Sequence, residues 1–155
     1  MTVTTALRPF VLAKDGGKLV NHFGGPLTFK ATALQTNGAV GVIEQVAPAG
    51  GGTPLHVHSR EDESLYVLEG RLTVLIDGKE SVVGPGSYVF LPRGIAHAWC
   101  NERPDPARFV ATFTPGGFES FYNDIAVFED ATEGIRPGRE WIAQCLIGYG
   151  VEIVG

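Results

Sequence analysis

The stretch that decides the fold is His56-Val57-His58-Ser59-Arg60-Glu61-Asp62-Glu63, answered further on by His97 after the turn Pro92-Arg93-Gly94. Alternate side chains of a β-strand share a face, so His56 and His58 can set two imidazoles on one side of one strand and about one metal ion. Glu63 lies an odd number of residues past His58, and a regular strand would turn it to the opposite face. The polar run Ser59-Arg60-Glu61-Asp62 is therefore expected to break the strand and reset its phase.

The sequence on either side has the rhythm of an antiparallel β protein. Glycine (21) and proline (10) fall between short apolar runs, as turn residues would. Val40 to Val46 reads as a strand, Pro48 to Pro54 as a loop, and Leu55 to His58 as the next strand. Leu65 to Leu68 continues the sheet. Arg71 to Ile76 and Glu80 to Val83 form a hairpin about Asp77-Gly78, since this pair suits the two positive φ angles of a type I′ turn. Gly84-Pro85-Gly86 turns the chain again, and Tyr88 to Leu91, Ile95 to Cys100 and Phe109 to Thr114 complete the series. Many short strands separated by turns predict a barrel or a double-sheet jelly roll.

After Pro115 the apolar period lengthens. Phe118, Phe121, Tyr122 and Ile125, and then Trp141, Ile142, Cys145 and Leu146, recur at helical spacing, predicting two short helices in a segment of about 117–149. Such stripes ordinarily cover apolar surface; a sharper alternative makes Phe118 and Phe121 a lid over the barrel mouth.

Length, at 155 residues, is enough for one domain spanning 1–155 with its own core. A net charge of -5, with eight arginines scattered from Arg8 to Arg139, argues against nucleic acid as a partner. Met1 to Thr5 lacks the pattern of a leader and no stretch approaches the roughly twenty apolar residues of a membrane span, so the expectation is a cytoplasmic protein without a membrane partner. Cys100 and Cys145 are isolated and read as small core residues. His22, beside Phe23 and a Gly-Gly pair, reads as structural.

At this point the residues carry a resemblance. Gly50, His56, His58, Glu63 and Gly70 fill the first motif of the cupin superfamily, with the longer of its two gaps before the glutamate, and Gly86, Pro92, Gly94, His97 and Asn101 fill the second. The two motifs cover about a third of the chain. The resemblance implies an all-β jelly-roll β-barrel, often dimeric, with one divalent metal ion held by His56, His58, Glu63 and His97. By its motif spacing it selects Glu63 over the rival carboxylates Glu61 and Asp62, which read as solvated loop charges. Three imidazoles and a carboxylate suit Fe, Mn, Ni, Co, Cu or Zn, whereas calcium or magnesium would call for oxygen ligands throughout. Gly70, Gly86 and Gly94 are expected at turns, Pro92 ahead of the strand that presents His97, and Asn101 as a hydrogen-bonding residue at a strand end. Strand parity places Leu65 and Val67 with Glu63 and Trp99 with His97, and makes Phe109 and Phe113 another same-face set. Together with Phe118 and Phe121 they form the expected apolar substrate pocket, although Phe109 and Phe113 read equally well as core.

A finer resemblance concerns activity. HSREDESLYVLEG (58–70), TPGGFESF (114–121) and YGVEIVG (149–155) are similar to bacterial cupins of the quercetin 2,3-dioxygenase-like group. That likeness implies a dioxygenase acting on a flavonol-like or other enolic aromatic substrate, with dioxygen as co-substrate and Glu63 as both ligand and base. Two other classes stay open: a non-oxidative metalloenzyme, such as a decarboxylase, isomerase or polyketide cyclase, and a noncatalytic small-molecule-binding barrel.

Overall fold

The computed structural model describes residues 6–155; Met1 to Thr5, read above for a leader, lie outside the described residues. In chain order the elements are β1 (Lys18–His22), β2 (Gly25–Ala31), α1 (Ala33–Thr36), β3 (Gly41–Ala47), β4 (His56–His58), β5 (Asp62–Glu69) and β6 (Leu72–Ile76). They continue with β7 (Lys79–Val83), β8 (Tyr88–Leu91), β9 (His97–Cys100), β10 (Ala107–Thr114), α2 (Ser120–Ala131), α3 (Arg139–Gly148) and β11 (Val151–Ile153). Two antiparallel sheets result, ordered β1-β2-β3-β10-β5-β8 and β11-β4-β9-β6-β7. Among the described residues no ladder joins them, so the expected jelly roll is a double sheet and not a closed barrel. No helix among these residues is long and apolar enough to cross a membrane.

Alternation explains how the sheets pack. β3 and β10 bury every second residue, with Ile43 and Ala47 from one and Phe109, Ala111 and Phe113 from the other. β5 turns Glu63, Leu65 and Val67 the same way. The opposed sheet contributes Leu72, Val74 and Trp99, and each fully buried large apolar side chain in this layer stabilises the fold by roughly 1.5–3 kcal/mol. The hairpin between β6 and β7 has the expected turn: Asp77 and Gly78 have φ of 48° and 75°.

Four elements lacked a clear sequence signal. β1 buries only Val20, β2 is broken by a register irregularity, α1 is a single capped turn, and β11 is three residues that become a strand by pairing with β4. The two predicted helices are present as α2 and α3, with α2 packed beside β1 and α3 beside β11. The start of α2 is fixed by Glu119, a fully buried carboxylate that accepts hydrogen bonds from the Ala33 N–H (2.6 Å) and the Gly117 N–H (2.7 Å). Gly41 makes room for it, since a Cβ there would lie 2.0 Å from Glu119 Oε2.

Candidate metal centre

β4 and β9 are neighbours, and their register sets His56 directly opposite His97, with ring centroids 4.4 Å apart. His58 follows on the same face of β4. The chain then leaves the sheet: Ser59 N–H and its hydroxyl donate to the Gly150 carbonyl, and Arg60 donates to that of Gly148. β5 begins at Asp62 in the opposite sheet with Glu63 facing inward, the phase reset that the polar run predicted. One donor atom from each of His56, His58, Glu63 and His97 lies within 4.8 Å of the others, and all four side chains are buried. Glu63 Oε2 is 3.2 Å from His97 Nε2 and 3.5 Å from His58 Nε2.

The outer nitrogens fix which way the imidazoles face. His56 Nδ1 is 2.9 Å from the Pro54 carbonyl, His97 Nδ1 is 3.0 Å from that of Ile95, and His58 Nδ1 is 3.0 Å from Glu61 Oε2. A carbonyl or carboxylate oxygen only accepts, so each Nδ1 carries a proton, and in the neutral ring the Nε2 lone pair points inward. Three lone pairs and a carboxylate oxygen then face one another, and His58 Nε2 is buried with no hydrogen-bond partner among the described residues. Such a set calls for positive charge at its centre, supplied either by a metal ion or by a proton on His97 Nε2 donated to Glu63 at 3.2 Å. The donors therefore fit a divalent ion, and the 3.2 Å between Glu63 and His97 is near the separation of two ligands on an ion with bonds of about 2.1 Å.

Electrostatics agree with this picture. Burial alone would raise the Glu63 pKa, but the hydrogen bond with His97 and the neighbouring imidazoles outweigh it and hold the carboxyl below its ordinary value. Burial would lower that of His97, and Glu63 reverses this and raises it. His56 is depressed to about 4, first by burial and then by His97.

Two neighbouring carboxylates correct the sequence expectation. Glu61 is no solvated loop charge: it is buried, and it orients His58 as the outer partner of a metal-bound histidine would. Asp62 opens β5, and both its oxygens meet the Arg93 guanidinium (3.0 and 3.1 Å). It also accepts from the Arg93 N–H, tying the turn ahead of His97 to the strand that carries Glu63. Gly94 N–H closes the same turn on the His58 carbonyl, and Gly70, Gly86 and Gly94 all have the positive φ that their turns require. Asn101 donates to the Ala47 and Asp105 carbonyls, as a strand-end residue would.

His56 and Glu63 stand in the wall of a cavity of about 90 Å³. Of the seven residues expected to form a pocket, Trp99, Phe118 and Phe121 line it. Leu65, Val67, Phe109 and Phe113 do not; they face inward as parity required but are packed between the sheets with at most 1% exposure. Phe113 stacks on His58 at 6.2 Å and contacts Phe118. The remaining wall was not assigned to the pocket in advance: His22 and Phe23 from the end of β1, Thr53 and Pro54 from the loop before β4, and Tyr122, Ile142 and Leu146 from the helices. The helical stripe was the available signal for these last three. For His22 the sequence offered none, because α2 brings β1 to the cavity.

Residues 42–113 match the cupin domain family. Quercetin 2,3-dioxygenase of Bacillus subtilis is 30% identical over 122 residues, 76% of this chain and 34% of that protein. The tetracenomycin polyketide synthase protein TcmJ of Streptomyces glaucescens is 36% identical over 80 residues, 52% of each. The chain thus spans from a third to a half of the length of these two relatives. An RmlC-like cupin from Shewanella frigidimarina has the same fold, with a TM-score of 0.61 and 19% identity over 74% of this chain and 98% of its own.

Proposed function

We propose that the cluster carried by residues 42–113, the stretch that matches the cupin domain family, is the metal centre of an enzyme acting on an enolic substrate. The observation that carries this proposal is the convergence of three inward Nε2 atoms and the Glu63 carboxylate at the wall of an apolar cavity. A divalent transition metal ion held by His56, His58, Glu63 and His97 would supply Lewis acidity toward an enol or carbonyl oxygen. Glu63, held ionised by its imidazole neighbours, accepts the proton of the substrate's enol hydroxyl. Trp99, Phe118 and Phe121 exclude water and offer flat faces to a planar guest.

Oxidative cleavage of the enol by dioxygen is the first candidate reaction, supported by the likeness to quercetin 2,3-dioxygenase. Size qualifies the substrate. Ligand pockets usually span roughly 300–1,000 Å³, and this cavity, at about 90 Å³, is well below that. A three-ring flavonol enters only if the cap formed by Phe118, Phe121 and α3 moves aside, whereas a single-ring enol asks for a smaller displacement. The likeness to TcmJ supports a second reading, a non-oxidative reaction at the same enol. An oxygen electrode decides between them with metal-loaded protein, quercetin and a single-ring enolone. Oxygen uptake matched by loss of the enol absorbance supports the dioxygenase, and equal turnover under nitrogen supports the second reading. Inertness toward both compounds in air and under nitrogen would overturn the proposal of an enzyme.

A further inference from the structure

His22 is not among the four residues whose donor atoms converge, yet it lines the same cavity as His56 and Glu63. Its position is set by aromatic packing. The ring lies 4.5 Å from Phe23, meets Tyr122 edge-on at 4.8 Å and Phe121 edge-on at 6.5 Å. The other three histidines of the chain each tie Nδ1 to an oxygen, whereas Nδ1 of His22 is buried with no hydrogen-bond partner among the described residues. The ring is half-buried in the cavity wall, and a buried nitrogen left in this state costs free energy until a partner completes it.

We propose that His22 is a specificity-determining residue that hydrogen-bonds a neutral hydroxyl of the substrate, on the side of the molecule away from the enolic edge that reaches the metal cluster. The assignment rests on the enolic-substrate reading given above and adds the second point of recognition. Burial depresses the His22 pKa to about 4, so the ring is neutral near neutral pH and offers one donor and one acceptor. That pair suits a hydroxyl, which both donates and accepts, better than a carboxylate. With Trp99, Phe118 and Phe121 as apolar walls around it, a hydroxyl that meets no partner would be excluded, so one hydrogen bond discriminates strongly. The substrate class is therefore a small uncharged enolone bearing a second hydroxyl.

The test is calorimetric titration of metal-loaded protein with two single-ring enolones, kojic acid and allomaltol. They share the enolone edge and differ only in a hydroxymethyl replaced by methyl on the opposite side of the ring. Wild-type protein should bind kojic acid roughly tenfold or more tightly than allomaltol. His22→Phe, which keeps the ring packing, should bring the two within about twofold through loss of kojic acid affinity alone, while His22→Gln restores part of the preference. Equal affinities in the wild type, or a preference that survives in His22→Phe, would overturn the role of His22 and leave the enolic reading standing. Failure of both compounds to bind metal-loaded wild type would overturn the enolic reading and this assignment with it. The comparison within the wild type does not depend on any variant folding.

Discussion

Glu61→Ala probes how the site is held. The Glu61 carboxylate accepts from His58 Nδ1 at 3.0 Å, with side-chain exposures of 6% and 1% for the two residues. Removing it strands a buried N–H, which costs roughly 1–3 kcal/mol. It also frees His58 to rotate or change tautomer, and loss of such an outer partner lowers metal affinity by roughly 10- to 100-fold. Tenfold corresponds to about 1.4 kcal/mol, so the two magnitudes overlap and a single lost hydrogen bond is enough to account for both. The assay is competitive titration of metal-free protein with zinc(II) against a chelating dye, paired with urea unfolding of the metal-free form. Glu61→Gln is the control, since its amide oxygen still accepts from Nδ1–H while the charge is gone. We expect Glu61→Ala to lose most of the affinity and Glu61→Gln to keep most of it. If Glu61→Gln falls as far as Glu61→Ala, charge and not orientation is responsible. An affinity for Glu61→Ala within about twofold of the wild type would refute the orienting role altogether.

Other perturbations follow from the same contacts. In the unfolded chain His22 takes up its proton near pH 6.5, whereas in the folded chain it waits until about 4. The unfolded state therefore binds more protons between these values, and stability falls as pH drops through that window, by roughly 3 kcal/mol in all. Urea unfolding from pH 4 to 7 should show this slope flattened by that share in His22→Phe. Glu119→Ala strands the Ala33 and Gly117 N–H groups and should cost roughly 3–5 kcal/mol in urea unfolding. Gly41→Ala, destabilising alone because its Cβ meets Glu119 Oε2, should cost much less in the Glu119→Ala background, which a double-mutant cycle would show. Gly78→Ala has open space around its Cβ but a φ of 75°, so it should lower stability by about 1 kcal/mol and leave metal affinity unchanged.

The parts of this molecule that were legible in the sequence are those fixed by local periodicity. The face shared by His56 and His58, the interruption before Glu63 and the type I′ hairpin at Asp77-Gly78 each follow from a rule that spans a few residues. Parity also identified the inward faces of β5 and β10. It did not give depth, because Leu65 and Glu63 share a face whether the space beside them is filled or open; only the packing of the two sheets decides that Leu65, Val67, Phe109 and Phe113 are core. Glu61 was misread for a related reason. A charge in a polar loop looks solvated until a histidine N–H is brought against it. β1, β2 and β11 carry weak alternation and become strands through their partners, so the pocket residues His22 and Phe23 were out of reach of local rules.

The most direct test of the central claim is the metal content of purified protein after removal of metal, reloading with cobalt(II) or zinc(II) and gel filtration, with His97→Ala alongside. The account predicts one ion per wild-type chain, and loss of the ion in His97→Ala with the fold retained by circular dichroism. Stoichiometric metal in folded His97→Ala, or none in the reloaded wild type, would contradict it.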